Sequence, residues 1–338
     1  IGRDVMKTLG LIIDFENELI TWGKYHANMK PSSVSVNDSY LIDDPRGVDK
    51  LVGRMAGDNY KKILDAKYEK ADIEKTVSEQ CAHLSKTKQT GLVELLNKFK
   101  TLFDRTLDTW KGTKYNIELQ AGVAPYQGRP YSVPKAYEQS LRLEVDQLEK
   151  IGVLRKVNRS QWGAPTFVIP KKDKMIRFIT DFRELNKRIK QKPYPFPKIQ
   201  DLLLGMEGFQ YATLLDLNMG YYHIDVTLGL SALCTIVLPW VKYEYVKLSM
   251  GLCNSPDIFQ EKMNELFADL EVVKAYIDDL LIITKGSWQD HLDKLEIVLA
   301  RLQEAGLKVN MGKSFFGQQE LEYLGYWITR EGIMPLPN

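Results

Sequence analysis

Apolar and polar residues alternate near the start of the chain. Leu9, Leu11, Ile13 and Phe15 are followed, after Glu16-Asn17-Glu18, by Leu19-Ile20-Thr21-Trp22. A period of two predicts strands on either side of a turn, a short folded piece over residues 1–23. Residues 24–85 are polar with little periodicity, which predicts a partly disordered linker reaching about residue 90, with a short helix near 60–71. From Gly91 the pattern tightens, with Leu92, Leu95, Leu96 and Phe99 at helical spacing. Residues 91–135 read as an extension into the main domain, with an extended Gly/Pro-rich stretch at 124–130.

The main domain, 136–338, opens with an amphipathic helix over 136–151, with Leu141, Val145 and Leu148 on one face. Strands follow at 164–169 and 176–180, joined by Lys171-Lys172-Asp173-Lys174. Pro193, Pro195 and Pro197 forbid regular structure ahead of a helix at 199–206. Residues 211–217 form an apolar strand that reaches Asp216, and further strands are expected at 233–238 and 243–248. Ser255 as N-cap with Pro256 behind it starts a helix that runs to about residue 270. Two apolar runs, 272–276 and 280–284, flank Asp278-Asp279 as a tight hairpin, and a helix over 291–305 ends at Gly306.

Charge changes this picture more than composition does. The 338 residues carry 46 Lys/Arg against 44 Asp/Glu, net +2. Residues 1–149 balance at 22 against 22, residues 150–200 hold 14 against 3 (net +11), and residues 201–338 hold 10 against 19 (net −9). A basic block beside an acidic one suggests a polyanion gripped in part through metal-bridged phosphates. The bland alternative for the basic run is a solvated face. Three cysteines without paired spacing indicate neither a disulfide framework nor a zinc knuckle, and favour a reducing compartment. No run approaches the ~20 apolar residues of a membrane span. The length fits two or three domains, and a start at Ile1 rather than Met suggests a piece of something longer.

The chemistry centres on carboxylates. Alternation along a strand turns Asp278 and Asp279 to different sides, so only one of them can face Asp216. Three acids in a mostly buried sheet repel one another, and divalent cations relieve that repulsion. Mg²⁺ takes carboxylate and phosphate oxygens and leaves places for water. The competing reading is that Asp-Asp merely ends a hairpin, because Asp favours turns. The apolar neighbours in Tyr276-Ile277-Asp278-Asp279-Leu280-Leu281-Ile282-Ile283 weigh against it.

Tyr276-Ile277-Asp278-Asp279 resembles the Tyr-X-Asp-Asp box of reverse transcriptases, and Leu214-Leu215-Asp216-Leu217 with Gly220-Tyr221 resembles their first catalytic aspartate box. Residues 178–187 (FITDFRELNK) resemble the fingers motif, and Leu248-Ser249-Met250-Gly251-Leu252 with Ser255-Pro256 the box before the palm helix. Their order and spacing resemble gypsy-type long-terminal-repeat retrotransposon polymerases. Upstream, Ile1-Gly2-Arg3-Asp4 and Ile13-Asp14-Phe15 resemble the tail of a retroviral-type aspartic protease without its catalytic Asp-Thr/Ser-Gly.

The resemblance implies an α+β right-hand polymerase, an antiparallel palm sheet backed by helices with basic fingers at 150–200, the thumb lying beyond Asn338. It implies RNA-directed DNA polymerase activity on an RNA or DNA template with a primer, taking deoxynucleoside triphosphates and two Mg²⁺ ions, with Mn²⁺ as substitute. Asp216, Asp278, Asp279 and the Leu217 carbonyl would hold the metals, Asp279 least directly. Arg177 and either Lys171 or Lys172, with Lys171 favoured, would grip the triphosphate. Tyr221 would be the steric gate under the sugar, with a core tyrosine as the alternative, and Met250 and Gly251 would line the pocket. Lys313 would protonate pyrophosphate unless Gly312-Lys313 is a plain surface turn, and Leu324-Gly325-Tyr326 would be the primer grip. Asn218-Met219 replaces the Arg-Ser typical of gypsy-type elements, and His223 reads as a half-buried core histidine. The implied partners are the remaining polyprotein segments (protease, ribonuclease H, integrase) in a cytoplasmic or nuclear particle that is neither secreted nor membrane-bound. A decayed copy that binds nucleic acid without turnover, and an RNA-making viral polymerase, are the rival classes.

Overall fold

The computed structural model describes residues 11–14, 19–22, 25–28, 70–170 and 176–336. The chain divides into two units, residues 1–54 and 55–338. In the first, β1 (Leu11–Asp14), β2 (Leu19–Trp22) and β3 (Tyr25–Asn28) form an antiparallel meander. The first two strands follow the alternation. The third lies in the stretch expected to be linker, because Tyr25-His26-Ala27-Asn28 offers no apolar alternation and forms by pairing along β2. Ile1-Gly2-Arg3-Asp4 and nearly all of the helix expected near 60–71 lie outside the described residues.

In the second unit the expected linker is structured well before residue 90. Helix α1 (Ile73–Gln80) is capped by Asp72, whose carboxylate accepts from the Lys75 amide at 3.0 Å, and α2 (Lys86–Lys98) is capped by Ser85. Only Ile73 and Val77 of α1 are buried, too few apolar positions to show a period, and they reach the core with Cys81 and Leu84. The amphipathic helix appears as α3 (Lys135–Lys150), burying Leu141, Val145 and Leu148. The fingers sheet follows with β4 (Leu154–Val157), β5 (Ala164–Pro170) and β6 (Ile176–Thr180), then α4 (Arg183–Asn186) and a short α5 (Ile199–Leu203).

Strand β7 (Tyr211–Asp216) leads into the 3-10 turn Gly220–His223, α6 (Leu228–Leu233), β8 (Thr235–Val237) and β9 (Lys242–Tyr245). These complete the five-stranded fingers sheet, in the order β4-β9-β8-β5-β6, where only β5 and β8 run parallel. Helix α7 (Ser255–Phe267) begins as its Pro256 requires, but Asn254 rather than Ser255 is the cap. The Ser255 hydroxyl instead donates to the Ser249 carbonyl at 2.7 Å. The palm hairpin is β10 (Val273–Tyr276) and β11 (Asp279–Thr284). Helix α8 (Trp288–Ala305) starts one turn earlier than the apolar period shows, because Ser287 caps it, and it ends at Gly306 with φ +78°. Strands β12 (Phe315–Gln318), β13 (Glu320–Tyr323), β14 (Tyr326–Thr329) and β15 (Ile333–Pro335) close the unit.

The palm sheet runs β10-β11-β7-β12, all antiparallel. Its central strands are buried on both faces, as a period of two requires when both faces find cover. Leu215, Leu280 and Ile282 join the main core with α7 and α8, whereas Ala212, Leu214 and Leu281 pack with Leu321, Tyr323 and Ile328 of the β13-β14-β15 sheet. Among the described residues no helix is long and apolar enough to cross a membrane.

Candidate active site

Asp216 ends β7 and Asp279 begins β11, and the antiparallel register places them directly opposite each other. Opposed residues in a ladder share a face. On the other flank Tyr276 is opposite Asp279, so the link between β10 and β11 is only Ile277-Asp278. Ile277 has φ +51°. A left-handed backbone on a β-branched residue costs on the order of 1–3 kcal/mol and persists only where the surroundings impose it. Gln260 of α7, fully buried, imposes it. Its Oε1 accepts from the Ile277 amide at 2.8 Å, and its Nε2 donates to the Ala275 carbonyl at 3.0 Å and to Asn264 Oδ1 at 2.8 Å.

The alternation expected to separate Asp278 from Asp279 therefore does not operate, because Asp278 sits in the turn rather than in the strand. The strand pairing brings Asp279, expected as the weakest of the three, straight across from Asp216. Burial, and then the charges of Asp216 and Asp279, push the Asp278 carboxyl up to about 7, against the pull of Lys313. Burial also raises Asp279, with Asp216 adding to it, and raises Asp216, where Lys313 opposes it. Lys313 Nζ lies 3.8 Å from Asp216 Oδ2, so the lysine is brought to the acids.

One oxygen of Asp278, Oδ1, is buried with no hydrogen-bond partner. A Cβ added to Gly220 would sit 2.5 Å from that oxygen and 3.0 Å from Phe259 Cζ. Close approach of backbone to the carboxylate thus requires glycine here. The Leu217 amide donates to the Asp278 carbonyl at 3.0 Å, fixing the strand end to the turn. Among the described residues no group of three or more His, Cys, Asp or Glu side chains is placed to hold a metal ion. An open set of oxygen donors with an orphaned, mutually repelling carboxylate suits Mg²⁺, which keeps places for water and substrate phosphate. Asp216 and Asp279, opposed in the ladder, and the orphaned Oδ1 of Asp278 are oxygen donors of the kind such an ion takes.

The other expected residues surround this point. Tyr221 is nearly buried, its ring 5.2 Å from that of Phe259, and its hydroxyl pKa is raised by burial and then by the Asp278 charge. Met250 is exposed and Gly251 has φ +94°. Asn186 clasps their loop with both ends of its amide: Nδ2 donates to the Gly251 carbonyl at 2.9 Å and Oδ1 accepts from the Cys253 amide at 3.0 Å. Arg177 is exposed on β6, opposite Ile169. Lys171 and Lys172 lie outside the described residues. Leu324 and Gly325, at φ +50° and +81°, make the two-residue turn between β13 and β14, closed by Tyr323 opposite Tyr326.

Gln260 escaped the sequence reading, and so did the bonds made by Asn186, within the fingers motif, and by Tyr323, beside Leu324-Gly325. The one signal for Gln260 was an amide among Ile258, Phe259 and Met263 on the buried side of a helix. Buried amides earn their place through hydrogen bonds, but sequence does not say to what. His223, read as half-buried, is fully buried.

An antiparallel sheet carrying three clustered acids at one end, flanked by a mixed sheet rich in basic residues, defines the palm and fingers of a template-directed polymerase. Residues 169–328 match the family model described as reverse transcriptase (RNA-dependent DNA polymerase). Over its whole length the chain is 25% identical to the retrovirus-related Pol polyprotein from transposon 297 of Drosophila melanogaster, covering 31% of that protein. It is 27% identical, over 91% of its length, to the transposon Tf2-3 polyprotein of Schizosaccharomyces pombe, covering 23% of it. The chain thus spans about a third or less of these relatives. Among solved structures, the foamy viral protease-reverse transcriptase in complex with RNA/DNA hybrid superposes with a TM-score of 0.73 at 25% identity, over 79% of this chain and 36% of that one. The same protein in complex with double-stranded DNA gives 0.73 at 24% identity, over 79% and 48%.

Proposed function

We propose that this chain is the fingers and palm of the RNA-directed DNA polymerase of a gypsy-type retrotransposon, adding deoxynucleotides to a primer 3′-hydroxyl along an RNA or DNA template. The observation that carries this reading is Asp216 opposite Asp279, with Asp278 in the adjoining turn, all three raised by burial and the latter two also by the Asp216 charge. Asp216, Asp278, Asp279 and the Leu217 carbonyl would hold two Mg²⁺ ions, for which Mn²⁺ can substitute. When bound, such ions supply an acidified primer hydroxyl and neutralise charge gathering on the leaving pyrophosphate.

The protein's own groups position and discriminate. Gln260 fixes the turn that presents Asp278, and Lys313 stands beside Asp216 to give a proton to pyrophosphate. Arg177, with Lys171 or Lys172, binds the triphosphate, and Met250-Gly251 lines the nucleotide pocket. The Tyr221 ring lies under the sugar and rejects a 2′-hydroxyl, while Leu324-Gly325-Tyr326 steadies the primer end. In this reading residues 1–23 are a protease tail, 24–90 a linker with the two helices at its end, 91–135 an N-terminal extension and 136–338 fingers and palm. The remaining partners are the protease, ribonuclease H and integrase segments of a Pol polyprotein, in a cytoplasmic or nuclear particle.

The test is primer extension with Mg²⁺ or Mn²⁺ on an RNA template annealed to a DNA primer. Wild type should add deoxynucleotides, and Asp216→Asn and Asp278→Asn should each fall at least about 1,000-fold, several kcal/mol of transition-state stabilisation. A chain that adds nothing, or an Asp278→Asn chain that keeps pace with wild type, would refute the proposal.

A further inference from the structure

Among the described residues two histidines are fully buried, and their surroundings differ in kind. His291 lies between two hydroxyls, Thr213 Oγ1 at 2.8 Å and Thr284 Oγ1 at 2.9 Å. A hydroxyl gives or takes a proton as the ring demands, so a neutral imidazole is satisfied there. His223 lies between two backbone carbonyls: Nε2 is 2.9 Å from Asn218 O, and Nδ1 is 3.1 Å from Asp108 O. Carbonyls only accept. Burial lowers the His223 pKa, although both carbonyls oppose that, so the ring is neutral at pH 7 and has one N–H for two acceptors. The shorter contact, to Asn218, is the one we assign to that proton.

Asn218 begins the turn that carries Tyr221, and the turn is unusual. Met219 has φ +57°, a left-handed backbone without glycine to ease it. Gly220 is pressed against Asp278 and Phe259. The Tyr222 amide donates to Met219 O at 2.8 Å and the Ile224 amide to Tyr221 O at 3.1 Å, and the Asn218 amide ties back to Lys308 O at 2.8 Å. On its far side the His223 carbonyl accepts from the Trp110 amide at 2.6 Å. The imidazole therefore spans from the segment at 108–110 to the first residue of the turn.

We propose that His223 is a positioning residue: an Nε2–H donated to the Asn218 carbonyl holds the turn 218–221 closed, and so holds the Tyr221 ring in register beside Asp278. The inference rests on the reading of Tyr221 as the sugar gate, and on geometry that stands without that reading. Replacement of His by Gln puts an amide N–H where Nε2–H stood, whereas Asn reaches only to where Nδ1 stood. The two amides thus separate the Asn218 contact from the Asp108 contact while leaving burial and polarity similar.

Hydrogen–deuterium exchange of the peptide spanning 217–224 is measured on wild type, His223→Gln and His223→Asn, with the 136–150 peptide of α3 as reference for global opening. The dNTP-to-rNTP ratio of kcat/KM is measured on the same proteins and on Tyr221→Ala. His223→Asn should raise exchange of the turn at least about 10-fold and lower the ratio at least about 10-fold, with α3 unchanged; His223→Gln should stay within about 3-fold of wild type in both. Equal exchange in wild type and His223→Asn, or equal damage in Gln and Asn, overturns the proposal. If His223→Asn does not fold, a Gln chain whose turn exchanges 10-fold faster than wild type overturns it by itself. A Tyr221→Ala chain with an unchanged ratio sinks the gate reading instead, and the exchange result then decides whether His223 holds the turn.

Discussion

Asp278 lets the reasoning about the acid cluster be tested without turnover. Its carboxyl titrates near 7 in the folded chain without metal, against 3.8 as the ordinary value. The cause is burial first, then the charges of Asp216 and Asp279. A raised carboxyl pKa means the folded state binds the proton more tightly than the unfolded one. Its contribution is then fully present below about pH 4 and lost as pH rises toward 7. Three pK units correspond to about 4 kcal/mol, and sharing of the repulsion with its two neighbours reduces that to about 2–4 kcal/mol. Asp278→Asn removes the charge, so in EDTA the variant should be more stable than wild type by that amount at pH 8 and nearly equal to it at pH 4. For a unit of this size each kcal/mol moves the melting temperature by about 2–3 °C, giving a gap of about 4–12 °C at pH 8. Thermal melts followed by circular dichroism at pH 4, 6 and 8 in EDTA measure it. Adding Mn²⁺ or Mg²⁺ at pH 8 should raise wild type more than the variant. An Asp278→Asn chain whose advantage is the same at pH 4 and pH 8 would refute the argument, because an uncharged effect of the substitution would then explain it.

Three other substitutions probe the same site. Gly220→Ala places a methyl 2.5 Å from Asp278 Oδ1, so primer extension should fall about 100-fold or more with the far-ultraviolet spectrum retained; a drop under 3-fold would show that the turn gives way. Gln260→Leu leaves the Ile277 amide and the Ala275 carbonyl without their partner, at a cost of about 2–4 kcal/mol in denaturant melts, and the presented Asp278 should lose at least 10-fold in kcat. Asn186→Ala releases the Gly251 carbonyl and the Cys253 amide, so KM for the deoxynucleotide should rise about 5–20-fold while kcat falls less; an unchanged KM would detach Asn186 from the pocket.

The elements were legible wherever period or punctuation was strong. The apolar run before Asp216, the paired runs around Asp278-Asp279, and Gly306 as helix end are all found in place. Helix α1 was not, because two buried apolar side chains in eight residues make no period and its stability comes from the core it joins. The acids were legible as a set but not in their geometry. Strand alternation was applied to Asp278, whereas a two-residue link with Ile277 at positive φ takes Asp278 out of the strand. Nothing in the residue types announces that conformation, since Ile is among the least suited to it. What permits it is Gln260, 17 residues upstream, and such a long-range hydrogen bond leaves no local pattern.

The same long-range bonding extends to the hairpin proposed as the primer grip. Tyr323 is buried, and its hydroxyl donates to the Lys274 carbonyl at 3.1 Å, on the strand that leads into the catalytic turn. In the next two residues, Leu324-Gly325, both left-handed, the chain reverses. The hairpin expected to bear the primer end is thus joined through one hydroxyl to the strand that leads into the turn holding Asp278. Gln260 grips that strand from the opposite side through Ala275. The side chains that bond these two adjacent carbonyls come from the two layers that cover opposite faces of the palm sheet. The carbonyls are held from the β13-β14 sheet and from α7, so neither layer can slide along the strand without breaking a bond. Displacing a reacting atom by about 1 Å can cost on the order of 100-fold in rate. Two hydrogen bonds that fix one strand between the proposed primer hairpin and the palm helix would therefore be a direct means of keeping a primer terminus and a set of carboxylates in register.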